Sequence, residues 1–310
     1  MNLASKANIS RFIGLTVAAL TCIFFVRTLN KNWEKVDGID LSLSFQNILA
    51  YLTFVSAIVV SGILWGAVFN RTTQIQTKMT QSIQAHSGSW LMKYIPGQIG
   101  SLVFKMRWGT NLGATKKSVA LAFGYENFFL TLASVIPTVP IILLGSDIEN
   151  KLIYFILYLA LLISMYLFTR NNTNKLITKF IQKVTKQTID PKKLLKGKTI
   201  LYLTIYFLSA RFINGLAFVL LTKSVTQVSA ANYLYLAASY IFAGIVGIYA
   251  IFVPSGLGVR EGVLVLLTTS IFGLELAIAL SILARLYTTL SDVAVGLIYL
   301  TLKKVNKGIP

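Results

Sequence analysis

The stretch "FVPSGLGVREGVL", residues 252–264, decides how this chain folds. It joins the apolar run 232–253 to a shorter one, 259–273. Pro254, Ser255, Gly256 and Gly258 break a helix there, and Arg260 and Glu261 follow directly. Proline removes a backbone donor and glycine frees the backbone dihedrals, so the break is written into the main chain. A broken helix and two ionised side chains are both costly next to lipid, and such backbone is tolerated only where protein buries it or water reaches it. A second stretch, "YIPGQIGSLVFKM" at 94–106, has the same character, with Pro96 and Gly97 at its break.

The rest of the chain supplies the lipid setting. Of 310 residues, 55% are hydrophobic and 13% charged, and the mean hydropathy is +0.70. So little charge cannot cover a soluble protein of this size, and the class is an all-α integral membrane protein, a polytopic helical bundle. The 29 Lys and Arg against 10 Asp and Glu give a formal charge of +19. Because the basic residues border apolar spans and no recognition module is visible, the surplus reads as cytoplasmic loops meeting anionic lipid, not as nucleic-acid binding. A single cysteine, Cys22, allows no intrachain disulfide. The single histidine, His86, has no neighbouring ligands in the sequence and reads as solvated or interfacial. No catalytic residue, metal or cofactor is expected.

Runs long enough to cross a bilayer occur at 12–29, 47–69, 118–144, 152–169, 199–221, 232–253 and 276–302. The first follows Lys6 and Arg11 in the manner of a signal peptide, but no small-x-small cleavage site follows, and a retained helix is expected. The segments 89–108 and 259–273 are too short or too interrupted to span. Loop 170–198 carries nine Lys and Arg against one acid, Asp190, and the tail carries Lys303, Lys304 and Lys307; both are expected in the cytoplasm, as is the N-terminus. Loops 30–46 and 145–151 are comparatively acidic and read as external. With these sides fixed, a re-entrant hairpin is the economical solution: 232–253 enters from outside, breaks at Pro254 to Gly258 and returns through 259–273. The same reasoning makes 70–117 a hairpin from the cytoplasm, broken at Pro96 and Gly97.

The halves then align. Pro254 follows Pro96 by 158 positions, and the closing helices at 118 and 276 are separated equally. A single transmembrane domain, 1–310, is therefore expected to contain two inverted-topology repeats, 1–146 and 147–310. Interrupted segments at corresponding positions of two halves point to a transporter's binding site.

Six charges fall in or near hydrocarbon: Glu126, Arg211, Arg260, Glu261, Arg285 and Asp292. Arg285 and Asp292 are seven apart and share one helix face. An isolated charge mid-membrane costs on the order of 3 kcal/mol, so these groups turn inward, pair or line water. Glu261 is the expected partner of Arg260. Lys93, Lys105 and Arg107 add cations without a nearby acid, which predicts a basic surplus at the first hairpin. The helix starts at Gly97–Gly100 and Gly256–Gly258 would turn free N–H groups inward, a natural anion site. Pro137 and Pro140 are expected to kink the outer end of their helix. Trp65, Trp90, Trp108, Tyr51, Tyr94, Tyr154 and Tyr233 read as interfacial belt residues.

In "KYIPGQIGSLVFKMRWG", in Glu126 and in "PSGLGVREG" the chain resembles the flippase-like transmembrane domain family of lysylphosphatidylglycerol synthases, with the motifs in the expected order over nearly the whole chain. Gln98, where a smaller residue is usual, and Asn127, where an Arg is common, depart from the pattern. The resemblance implies movement of a lipid with a charged or sugar-bearing headgroup between leaflets. The aminoacyl-transfer domain of full synthases is not in this sequence, so lipid aminoacylation is not expected.

The leading reading is a cell-membrane translocase for an anionic phospholipid or a polyprenyl-phosphate-linked sugar. Its partners are anionic membrane lipids and a lipid-modifying synthase or glycosyltransferase. The alternatives are an accessory protein of envelope polysaccharide or lipid synthesis, or a lipid-phosphate enzyme; against the enzyme stands the lack of a histidine pair, a Cys nucleophile and a metal-binding carboxylate cluster. With Cys22 replaced, single cysteines in 30–46 and 222–231 should label from outside, and one in 171–198 only from the cytoplasm. Fast reaction of a cysteine at Ser255 with bulky cytoplasmic reagents would mean that 232–253 simply spans.

Overall fold

The computed structural model describes residues 44–95, 98–145, 151–156, 158–160, 194–250 and 253–306. The expected span 12–29, most of 152–169, loop 170–198 up to 193, and the break residues Pro96 and Gly97 lie outside them. The described residues form helices joined by short turns, with no strand among them. The helices are α1 (Phe45–Thr73), α2 (Met79–Leu91), α3 (Ile99–Asn111), α4 (Lys116–Gly145), α5 (Gly197–Val225), α6 (Tyr233–Tyr249) and α7 (Val259–Val305). Five helical stretches are long and apolar enough to cross a membrane: Phe45–Thr73, Lys116–Gly145, Gly197–Val225, Ala230–Tyr249 and Val259–Val305.

The helices begin and end where the backbone chemistry demands. Ser44 Oγ accepts from Asn47 N at 3.2 Å and caps α1. Gln74, left-handed at φ 61°, stops it. Pro137 and Pro140 both sit inside α4, which continues through them to Gly145. Pro140 offers no N–H to the carbonyl of Ile136, and the Tyr158 hydroxyl donates to that carbonyl instead.

Three antiparallel pairings organise the bundle. In the first, Ser89 and Ser101 exchange hydroxyl-to-carbonyl bonds across α2 and α3, at 2.8 and 3.4 Å. These two 13-residue helices, each ~20 Å long, form a hairpin whose tip is the 3₁₀ turn Met92–Tyr94 and the left-handed Gln98. In the second, Tyr235 Oη donates to the Leu267 carbonyl at 3.0 Å, joining α6 to the start of α7. The third lies within α7, where Gly273 leaves helical geometry at φ 74°, ψ 167°. Ser281 Oγ meets the Glu261 carbonyl at 3.4 Å and Arg285 meets the Ser255 carbonyl at 3.4 Å. Contacts that widen in sequence separation away from Gly273 mean that the chain doubles back there. The segments 259–273 and 276–302 are thus distinct helices, as their lengths require.

The hairpins enter from opposite ends of the bundle. Asn306 at the end of α7 bonds Thr80 and Gln84 near the start of α2, and Leu195 N, just before α5, donates to Tyr125 of α4. Arg71, Lys78, Lys116, Lys117, Lys196, Lys198, Lys303 and Lys304 therefore gather at the end where the α2–α3 hairpin is rooted. The α6–α7 hairpin is rooted at the other end, and the two tips touch in the interior.

Packing inverts the soluble pattern. Phe212 is 65% exposed while its neighbour Arg211 is only 8% exposed, so the apolar side faces outward and the charge inward. Trp65 and Trp108 are buried, not interfacial; Phe69 packs against both, edge-on to Trp108 at 5.2 Å. Apolar burial gains little when the alternative is lipid, so close packing and polar links carry the specificity.

The tip of the second hairpin depends on backbone contact. Gly256 has φ +67°, and a Cβ there would lie 2.7 Å from Gly247 Cα and O. Gly256→Ala is expected to cost at least about 2 kcal/mol, from strain and overpacking together. Gly262→Ala, a helical position facing open space, should be neutral or slightly stabilising. Detergent melting curves of the two variants check the difference.

Candidate functional site

Between the two tips lies a cavity of about 170 Å³, lined by residues of both hairpins and of α1, α4, α5 and α7. That is below the ~300–1,000 Å³ that encloses a drug-sized ligand, and suits a few waters or one compact charged group. Its walls include Lys93, Gln98, Lys105, Glu126, Asn127, Arg211, Ser255, Gly256 and Arg260. Arg285, Asp292 and Glu261 stand behind this wall and hold the tips in place. Most of the charged residues singled out in the sequence thus come together, although they arise on separate helices.

Lys105 is the deepest cation, 2% exposed. Its Nζ donates to both Glu126 oxygens at 2.7 and 2.6 Å and sits 4.1 Å from the centre of the Trp65 ring. His86 Nδ1 lies 3.3 Å from Glu126 Oε1 and 3.5 Å from Lys105 Nζ. His86 is therefore a buried member of a charged cluster, not an interfacial side chain. Its position on α2, opposite Lys105 on α3, could be found only once the hairpin was paired.

Asp292 gathers the first tip. One carboxylate oxygen accepts from Trp90 Nε1 and Lys93 Nζ, both at 2.7 Å, and the other from Tyr94 Oη at 2.6 Å. Trp90 and Tyr94 thus serve the site instead of an interfacial belt. Arg285, two turns earlier on α7, takes the second tip through the Ser255 carbonyl and Glu261 Oε1, 3.5 Å away. The shared face of Arg285 and Asp292 gives each hairpin its own anchor.

Three expectations need correction. Lys93 and Lys105 have acids after all, Asp292 and Glu126, and Arg107 is exposed, so the first hairpin carries no basic surplus in the interior. Glu261 is the partner of Arg285 and not of Arg260. The helix start at Gly258 is filled by its own sequence, for Gly258 N donates to Glu261 Oε2 at 2.7 Å, a carboxylate placed where the helix dipole favours it. Gly97 and Pro96 of the other start lie outside the described residues, and Gln98 caps α3 without a side-chain hydrogen bond.

The surplus sits elsewhere. Among the described residues around the cavity, Lys93, Lys105, Arg211, Arg260 and Arg285 face Glu126, Glu261 and Asp292, and two arginines are left without a carboxylate. Arg260 lays its guanidinium over the Tyr240 ring, 4.6 Å from its centre, and Tyr240 is itself stacked on Phe218 at 4.9 Å. Arg211 makes no hydrogen bond or ion pair among the described residues, and its Nε is buried without a partner. Both are cations in the wall of the same cavity, so each repels the other. No group of three or more His, Cys, Asp or Glu suited to a metal occurs among the described residues.

Removing one member of a buried ion pair strands the other charge, at roughly 3–5 kcal/mol. Lys105→Met and Glu126→Leu should each sharply reduce the yield of folded protein, and the two together should recover most of it. Size-exclusion profiles of the three variants check this.

Searches among curated proteins and among solved structures return no match. The family model for the lysylphosphatidylglycerol synthase TM region matches residues 11–296. That range includes both hairpins, both anchors and every charged residue of the cavity, and the chain belongs to this family of membrane proteins related to lipid and envelope biosynthesis.

Proposed function

We propose that the chain is a translocase that moves a lipid with an anionic, phosphate-bearing headgroup between leaflets, without catalysing a reaction on it. The observation that carries the reading is the cavity between two oppositely rooted hairpin tips, with Arg211 and Arg260 in its wall and neither paired with a carboxylate among the described residues. An interior polar chamber of this kind gives a headgroup somewhere to pass, while acyl or prenyl chains stay in lipid outside. The hairpins are taken as re-entrant and the halves as inverted repeats, with the cation-rich end in the cytoplasm. Each tip then fronts one leaflet, and exchange of access between them would carry the headgroup across.

In this reading Arg260 grips the headgroup phosphate. Its removal strands no carboxylate, because Glu261 keeps Arg285 and the Gly258 N–H. Arg260→Ala should therefore lower translocation more than about tenfold, the worth of a charge-assisted contact, while leaving folded yield near normal. Arg260→Lys should recover only part, since a point charge replaces a planar fork. Purified protein in liposomes with fluorescent anionic lipids, read by external quenching, measures both. Unchanged translocation by Arg260→Ala contradicts the role, as does loss of folded protein that a second change, Glu261→Ala, restores together with transport.

A further inference from the structure

We propose that Arg211 and Arg260 form one binding site for a dianionic phosphate group, a phosphomonoester or diphosphate on a lipid, and that the site rejects lipids with cationic headgroups. The inference rests on the translocase reading only for the identity of the cavity and goes beyond it in naming the charge state of the cargo. Arg211 is 8% exposed, lines the cavity, and makes no hydrogen bond or ion pair among the described residues, its Nε being buried without a partner. Burying a charge is tolerated when it is paired and hydrogen-bonded, and every carboxylate here already has donors of its own. Glu126 is held by Lys105 on both oxygens, Asp292 by three donors, and Glu261 by Gly258 N and Arg285. Each of the three is thus already neutralised by a cation of this chain, and an ammonium headgroup would have to compete with it.

Neither of the two leftover guanidiniums meets a carboxylate among the described residues. They come from different helices, α5 and α7, and converge on the same chamber with Tyr240 as the platform that fixes Arg260. Two guanidinium forks facing one small space offer up to four N–H groups in pairs, a geometry that suits tetrahedral phosphate. A diester with one negative charge would quench half the surplus. A monoester or diphosphate quenches all of it and relieves the repulsion between the arginines. The cavity of about 170 Å³ takes the phosphate and excludes the lipid tails.

The test reads binding without transport. The full chain in detergent is titrated with phosphatidic acid, a prenyl diphosphate, phosphatidylglycerol, an aminoacylated phosphatidylglycerol, and inorganic phosphate or diphosphate, following the melting temperature. The dianionic lipids should raise it by roughly 5 °C or more near saturation and bind about 10–100-fold more tightly than phosphatidylglycerol. The aminoacylated lipid should give no shift. Inorganic diphosphate acting as strongly as the lipids would make the site one for a free phosphate and overturn its lipid assignment. Arg211→Met should melt higher than the parent without ligand, because an unpaired buried charge is gone, and should lose the dianion preference; Arg211→Lys should keep part of it. A lower melting temperature for Arg211→Met with the preference intact, or equal affinity for the monoanionic and dianionic lipids, overturns the proposal. Those results would leave liposome transport of a monoanionic lipid untouched, so failure here and failure of the translocase reading are distinguishable.

Discussion

The Asp292 carboxylate is the point on which the interior arrangement depends. Three side chains of the first tip, Trp90 at the end of α2 and Lys93 and Tyr94 in the turn that follows, donate to it. Without that acceptor the ammonium of Lys93 would be buried unpaired, and the first tip would have no fixed seat. Two turns away on the same helix, Arg285 does the complementary work for the second tip with a cation in place of an anion. One helix thus registers two hairpins from opposite ends of the bundle, and their meeting creates the cavity.

Lipid explains why polar links have this role. Where the surroundings are as apolar as the core, leucines and phenylalanines pack without preferring one partner strongly over another. An unsatisfied charge or carbonyl has no such freedom. Lys105 and Glu126 fasten α3 to α4, and Tyr158 takes the carbonyl that Pro140 leaves free. Arg211 and Arg260 are the cavity cations that have no carboxylate partner among the described residues, and such departures are where binding chemistry is expected.

The breaks, the interior charges and the helical class were legible because each follows from local chemistry: proline and glycine in an apolar run, and ions where no water is expected. The 7-residue spacing of Arg285 and Asp292 showed a common face but not that the two charges serve different hairpins. The partners of Lys93 and Lys105 were invisible, because Asp292 lies 199 positions and Glu126 21 positions away. Sequence adjacency suggested Arg260 with Glu261, yet the first turn of a helix draws an acid at its third position back to the capping N–H, and this leaves the neighbouring arginine free. His86, Trp65 and Trp90 were misplaced for one shared reason. Aromatic and imidazole rings are common at membrane interfaces, and only the packing of α2 against α3 and α7, and of Trp65 on α1 against Lys105 of α3, turns them inward.

The central claim is that two hairpin tips, rooted at opposite ends, stop at a common depth inside the bilayer. Nitroxide labels at Ile95 and Ser255, in protein lacking Cys22 and reconstituted in bilayers, test it through their relative accessibility to oxygen and to a water-soluble nickel chelate. The account requires both labels to report interior depths close to one another, with a short distance between them by dipolar spectroscopy. A label at headgroup depth at either position, or tips separated by the thickness of the membrane, would contradict it.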